Sequence, residues 1–273
     1  MYVVILWLAL NILGPMLVWL GGYLLGGLAG NLAIALVANV LMLRMFSSFT
    51  LVDLGFRWNR ASMDNIALGL LGGAGTACLV LAPPLLTGAA HISATPNDLP
   101  NFSAFLYITV LMAVGAMGEE VMMRGYGFQI LIARCGAWAT IIPVGVVFAA
   151  MHAANPHSGP LALANTAAFG ILFGYAFLRS RDLWLPAGLH FGWNITLPLF
   201  GVNVSGLNMK MTGHEMTWSA GTLWSGGEYG PEASVLTSIM MVVLAVYLWK
   251  APIRRQVSPI LDPPAPADGR QEE

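Results

Sequence analysis

Apolar runs long enough, or nearly so, to cross about 30 Å of hydrocarbon recur along this chain. They leave little choice but a bundle of membrane helices. Eight are read, at about 3–20, 24–43, 66–86, 104–122, 138–154, 161–178, 184–200 and 234–250. The first two can fuse into fewer spans, because Gly21, Gly22, Gly26 and Gly27 blur the break between them. Composition agrees. Hydrophobic residues make up 57% and charged residues 9%, against about 25% charge in a soluble domain. The expected class is all-α: a polytopic membrane helix bundle of about eight transmembrane helices, with both termini inside. It forms one transmembrane domain over 1–250, with 251–273 a disordered cytoplasmic tail rich in Pro, Ala and acids.

The orientation comes from Lys and Arg. With both termini inside and the spans alternating, eleven of the twelve cationic residues fall in inner segments, and only Lys210 is outside. The start, Met1-Tyr-Val-Val-Ile, has no basic region or small-residue cleavage site, so it reads as a helix that stays. The outer segment 201–233 is Gly-rich and carries Glu215, Glu228 and Glu232. Cys78 and Cys135 make no disulfide framework. A net charge of −1 offers no basic face for nucleic acid. Compactness suggests a bacterial inner membrane, where the lipid bilayer itself is the first partner.

Glycines stand four apart at Gly22/Gly26/Gly30, Gly69/Gly73, Gly170/Gly174 and Gly188/Gly192. Small residues at that spacing let membrane helices approach closely. They are read as internal packing rather than as a dimer face.

The chemistry lies in the few polar residues inside the apolar spans. Glu119 and Glu120 end the run Leu111-Met-Ala-Val-Gly-Ala-Met-Gly. An ionised group in a bilayer costs about 2.5–3.5 kcal/mol on insertion scales, and such residues are functional candidates by default. Glu120 and Arg124 share a helix face and can pair. Glu119 is turned about 100° away and can point into the bundle. His152 ends the run from Val144, with Phe148 one turn before it. His190 and Asn194 share a face, bracketed by Pro186 and Pro198. His91, His157 and His214 fall in outer loops.

Glu119-Glu120-Val-Met-Met-Arg124, Phe148-Ala-Ala-Met-His152 and His190-Phe-Gly-Trp-Asn194 fit EExxxR, FxxxH and HxxxN. In that order, inside membrane helices, they resemble the three signatures of the CPBP family, the CAAX-processing and bacteriocin-processing (ABI) intramembrane proteases. The resemblance covers about 100–200. Asp53-Leu-Gly-Phe-Arg57 is a weaker shared feature.

The resemblance implies an intramembrane endopeptidase acting on a membrane-associated peptide or protein. Peptide hydrolysis needs an activated water, a proton donor and an oxyanion cradle. Glu119 is the candidate base, and His152 can hold the same water. By analogy with the family, His190 and Asn194 donate to the oxyanion. Arg124 holds Glu120. Glu119, His152 and His190 are also a ligand set for catalytic zinc. The reading favours no tightly bound cofactor, with zinc as the alternative. Two other functions remain open: a catalytically silent scaffold or immunity protein on the same fold, and a transporter. A transporter predicts inverted repeats with broken helices, and no matching pair is visible. One tension stands. Glu119 lies toward the inner end of its span and His152 toward the outer end of the next, so the first must continue to about Arg134, or the second must be short or tilted.

Overall fold

The structure is a computed structural model that describes residues 1–95 and 101–262. All eight expected spans are helices: α1 (Tyr2–Leu24), α2 (Gly30–Phe46), α3 (Arg60–Leu86), α4 (Phe102–Arg124), which α5 (Tyr126–Cys135) prolongs, α6 (Ala137–Met151), α7 (Pro160–Ser180), α8 (Trp184–Leu199) and, after the short α9 (Thr222–Ser225), α10 (Val235–Lys250). Among the described residues, five segments are long and apolar enough to cross a membrane: 2–22, 25–46, 60–86, 102–135 and 160–180. The protein is a polytopic helical bundle.

Local chemistry sets the helix ends. Asn101 caps α4 by accepting from the Ser103 and Ala104 amides, and Asn59 caps α3 through Ser62. Each takes up amides that a helix start leaves unpaired. Pro160 opens α7, where a missing amide costs nothing. The first two spans do not fuse. Gly22 takes φ 73° and breaks α1, a π turn follows over Leu25–Ala29, and α2 returns along α1. A Cβ on Gly26 would lie 2.1 Å from the Leu17 carbonyl oxygen.

Helix α8 is the hub. It packs on α3, α4 and α7, and its residues from Leu185 to His190 are all buried. The glycine spacing explains the α3–α8 seam. A Cβ on Gly73 would lie 2.0 Å from the Leu189 oxygen, and one on Gly192 would lie 2.7 Å from the Leu70 oxygen. Backbones this close leave no room for a side chain, so these glycines pack the bundle internally, as expected. Gly73→Val should therefore force α8 away and cost at least about 1–3 kcal/mol. Gly75→Ala, whose Cβ meets nothing within 4 Å, should be silent. Thermal unfolding of the two variants in detergent checks this contrast.

Three features lay beyond the sequence reading. An antiparallel ribbon joins β1 (Ala90–Ala94) to β2 (His214–Trp218), pairing Ala90 with Trp218 and Ala94 with His214. The segment 201–233 folds back onto the bundle and reaches α7 and α8, through Asn165 Nδ2 to the Glu232 carbonyl at 2.7 Å and Trp193 Nε1 to its carboxylate at 3.1 Å.

The third feature corrects the expected disordered tail. Residues 251–262 lack regular secondary structure but pack as a strap across the α7–α8 turn. Gln256 Nε2 donates to Asp182 at 2.7 Å and to Ser62 Oγ at 3.0 Å. Arg255 pairs with Asp262 at 2.8 Å. A composition rich in Pro, Ala and acids suggested disorder, but buried polar partners on the bundle hold this part. Residues 263–273, the rest of the expected tail, lie outside the described residues. Asp182, in the turn, is fully buried. Burial pushes its carboxyl up, opposed by Asn65, Gln256, the Leu185 amide and Ser180.

Candidate active site

Three helices, α4, α6 and α8, bring the predicted residues to one place. Near the end of α4, Arg124 Nη1 stands 3.3 Å from both oxygens of Glu120, and both side chains are fully buried. Arg124 also donates to the Gly170 carbonyl at 2.7 Å, and its guanidinium lies 5.6 and 5.7 Å from the Phe148 and Phe173 ring centres. A buried pair with these further partners meets the conditions under which burial of two charges is tolerated.

Glu120 also accepts from His190 Nδ1 at 3.1 Å. A carboxylate only accepts, so Nδ1 carries the proton and Nε2 is turned the other way. His152, which caps the C-terminus of α6, is oriented by the same logic. Its Nδ1 lies 2.8 Å from the Phe148 carbonyl, which fixes the proton there. Both imidazoles thus present Nε2 to Glu119. Its Oε2 lies 3.9 Å from His152 Nε2 and 3.8 Å from His190 Nε2, and it is buried with no hydrogen-bond partner among the described residues. Phe173 stacks on His190 at 5.0 Å and Phe148 packs edge-on to it. The aromatic residue of the second motif therefore walls the site.

The tension over depth resolves as the sequence allowed. The segment 102–135 runs 34 residues, so Glu119 sits near its middle, and α6 is short at 15 residues. One detail differs: the helix breaks at Gly125 between α4 and α5. Asn39 fills the break, accepting from the Tyr126 amide at 2.6 Å and donating to the Val121 carbonyl at 3.2 Å.

Glu119, His152, His190 and Asn194 line one cavity of about 260 Å³. Its walls are largely apolar, with Leu24, Leu28, Met112, Phe148 and Phe169 among them. Glu120 and Arg124 stand behind it. His91 and His214 lie on the ribbon, and His157 pairs with Glu228 at 2.9 Å; none of the three lines the cavity.

Sequence reasoning missed Glu232, Ser205 and Asn155, which also line the cavity. Glu232 was visible only as one of several acids in a Gly-rich loop. No periodicity marks a loop residue that folds inward. Among the described residues, no group of three or more His, Cys, Asp or Glu side chains is arranged to hold a metal ion.

The structure thus defines the class as a helical membrane bundle with a glutamate and two histidines around a largely apolar cavity. Residues 101–196 match the family described as type II CAAX prenyl endopeptidase Rce1-like. The match spans all three motifs and bears out the resemblance they gave. No curated protein and no solved structure matches.

Proposed function

We propose that the protein is an intramembrane endopeptidase that hydrolyses a peptide bond of a membrane-associated protein or peptide, using a water activated by Glu119. The observation that carries this reading is Glu119 Oε2. It is buried, lacks a hydrogen-bond partner among the described residues, and lies 3.8–3.9 Å from two Nε2 atoms. Such separations are too long for direct hydrogen bonds and suit one bridging water.

Glu119 takes a proton from that water as it attacks the scissile carbonyl. The water's oxygen forms the new C–O bond, and the carbonyl oxygen becomes an oxyanion. His152 Nε2 holds the attacking water. His190 and Asn194 lie one turn apart on α8 and supply donors to the oxyanion, His190 from Nε2 in its protonated form. Collapse breaks the C–N bond, and the proton held by Glu119 passes to the leaving amine. Glu120 keeps His190 oriented and Arg124 keeps Glu120 in place. Both are supports and do not touch the reacting atoms.

No step needs a metal. The purified protein should therefore keep its activity in a strong chelator and hold far less than one zinc per chain, by metal analysis of the same sample. Stoichiometric zinc that departs with activity, and that His152→Ala also removes, would recast Glu119 as a ligand or as a base beside the metal. The scaffold reading is separated by one assay: a silent protein leaves the membrane peptidome unchanged between wild type and Glu119→Ala, whereas a protease does not.

A further inference from the structure

The cavity has a second carboxylate, which the mechanism does not use. Glu232 precedes α10 in the segment 231–233, is 7% exposed and lines the cavity. Three donors converge on it. Trp193 Nε1 donates to Oε1 at 3.1 Å, Ser205 Oγ donates to Oε1 at 3.4 Å, and the Ser205 amide donates to Oε2. Trp193 lies between His190 and Asn194 on α8, buried and packed on Phe169 at 4.6 Å. Ser205 lies in the stretch that roofs the cavity, with Val204, Leu207 and Met209.

We infer that Glu232 is a positioning residue, a latch that fastens the roof 204–209 to the catalytic face of α8. This rests on the function proposed above for what the cavity holds, but the latch itself is geometric. The donor pattern explains why a carboxylate stands here. The indole N–H and the backbone N–H can only donate, and they approach different oxygens. A carboxylate accepts at both. An amide accepts at one and must point its NH₂ at a donor on the other side. If its oxygen takes the Ser205 amide, its NH₂ faces the Trp193 indole N–H. The Ser205 hydroxyl can rotate to suit and does not conflict.

This logic predicts a specific rescue. Glu232→Gln should loosen the roof, because it sets donor against donor in a buried place. In a Trp193→Phe background the conflicting N–H is gone, while an aromatic ring remains to pack on Phe169. There Glu232→Gln should have little further effect.

The test is made on the full chain in detergent, with Cys78 and Cys135 replaced by alanine and Leu207→Cys as a reporter in the roof. A water-soluble maleimide reads opening of the roof with no substrate present. Glu232→Gln should speed labelling about tenfold, the scale of one buried unsatisfied donor. Adding it to Trp193→Phe should speed labelling less than about twofold over Trp193→Phe alone. Where cleavage is measured, Glu232→Gln should raise KM about tenfold and change kcat less than threefold, and the Trp193→Phe background should cancel the KM effect.

Equal acceleration in both backgrounds, or none in either, overturns the latch. If Glu232→Gln gives no folded protein, Trp193→Phe alone decides: it removes one donor and should speed labelling by about threefold, and an unchanged rate overturns the proposal. The labelling pattern needs no activity. A wild type that cleaves nothing but shows the pattern loses the protease reading and keeps the latch. A wild type that cleaves, without the pattern, does the reverse.

Discussion

Glu119→Gln should abolish cleavage and leave the fold intact. The amide keeps the shape of the side chain and cannot take up a proton. Its cost falls on chemistry alone, because Oε2 of Glu119 makes no hydrogen bond among the described residues that the fold depends on. Nor is the side chain sealed in the core; it is 19% exposed, on the cavity wall. Removing a positioned general base lowers the rate by about 10²–10⁴-fold. The measurement is single-turnover cleavage of a membrane-associated substrate by purified protein, alongside a melting curve. Wild-type turnover in a well-folded Glu119→Gln protein would remove Glu119 from its role as base.

Arg124→Ala should instead strike the fold. The variant leaves Glu120 buried without its cation, deprives the Gly170 carbonyl of a donor, and empties the space between Phe148 and Phe173. Breaking a buried pair from one side costs about 3–5 kcal/mol. The expected result is low yield and a large drop in melting temperature, and Arg124→Glu should be worse. Adding Glu120→Gln to Arg124→Ala should recover part of the loss, since the stranded charge is gone. Melting temperatures of the three variants in one detergent provide the check. A fully folded but inactive Arg124→Ala would mean that the guanidinium acts on the reaction directly.

These two glutamates differ by one position and by their surroundings. The 100° turn between Glu119 and Glu120 was legible because helix geometry is local. So were the spans, the glycine seam and the three motifs, each carried by residues four or five apart on one element. Glu232 was not legible. It meets Trp193 from 39 positions away, across a Gly-rich segment with no period to follow. The strap was missed for a related reason. Gln256 bonds Asp182 and Ser62, which lie 74 and 194 positions away, and nothing in the local composition marks that meeting. The ribbon joins strands more than a hundred positions apart. Local pattern predicts elements well and predicts poorly where separate polar groups meet.

The strap has a consequence for the order of assembly. Ser258 Oγ donates to Gln129 Oε1 at 3.3 Å, and Gln129 Nε2 donates in turn to the carbonyl of Arg124 at 3.1 Å. The start of α5, just past the break at Gly125, is thus tied down by a residue synthesised well over a hundred positions later. Helices α1 to α10 all leave the ribosome before Ser258 does. Until then the start of α5 lacks this one tie, although Asn39 already holds the break at Gly125. The strap is thus a late stitch, made only after α10 has been translated, and a chain cut short at Lys250 would lack it.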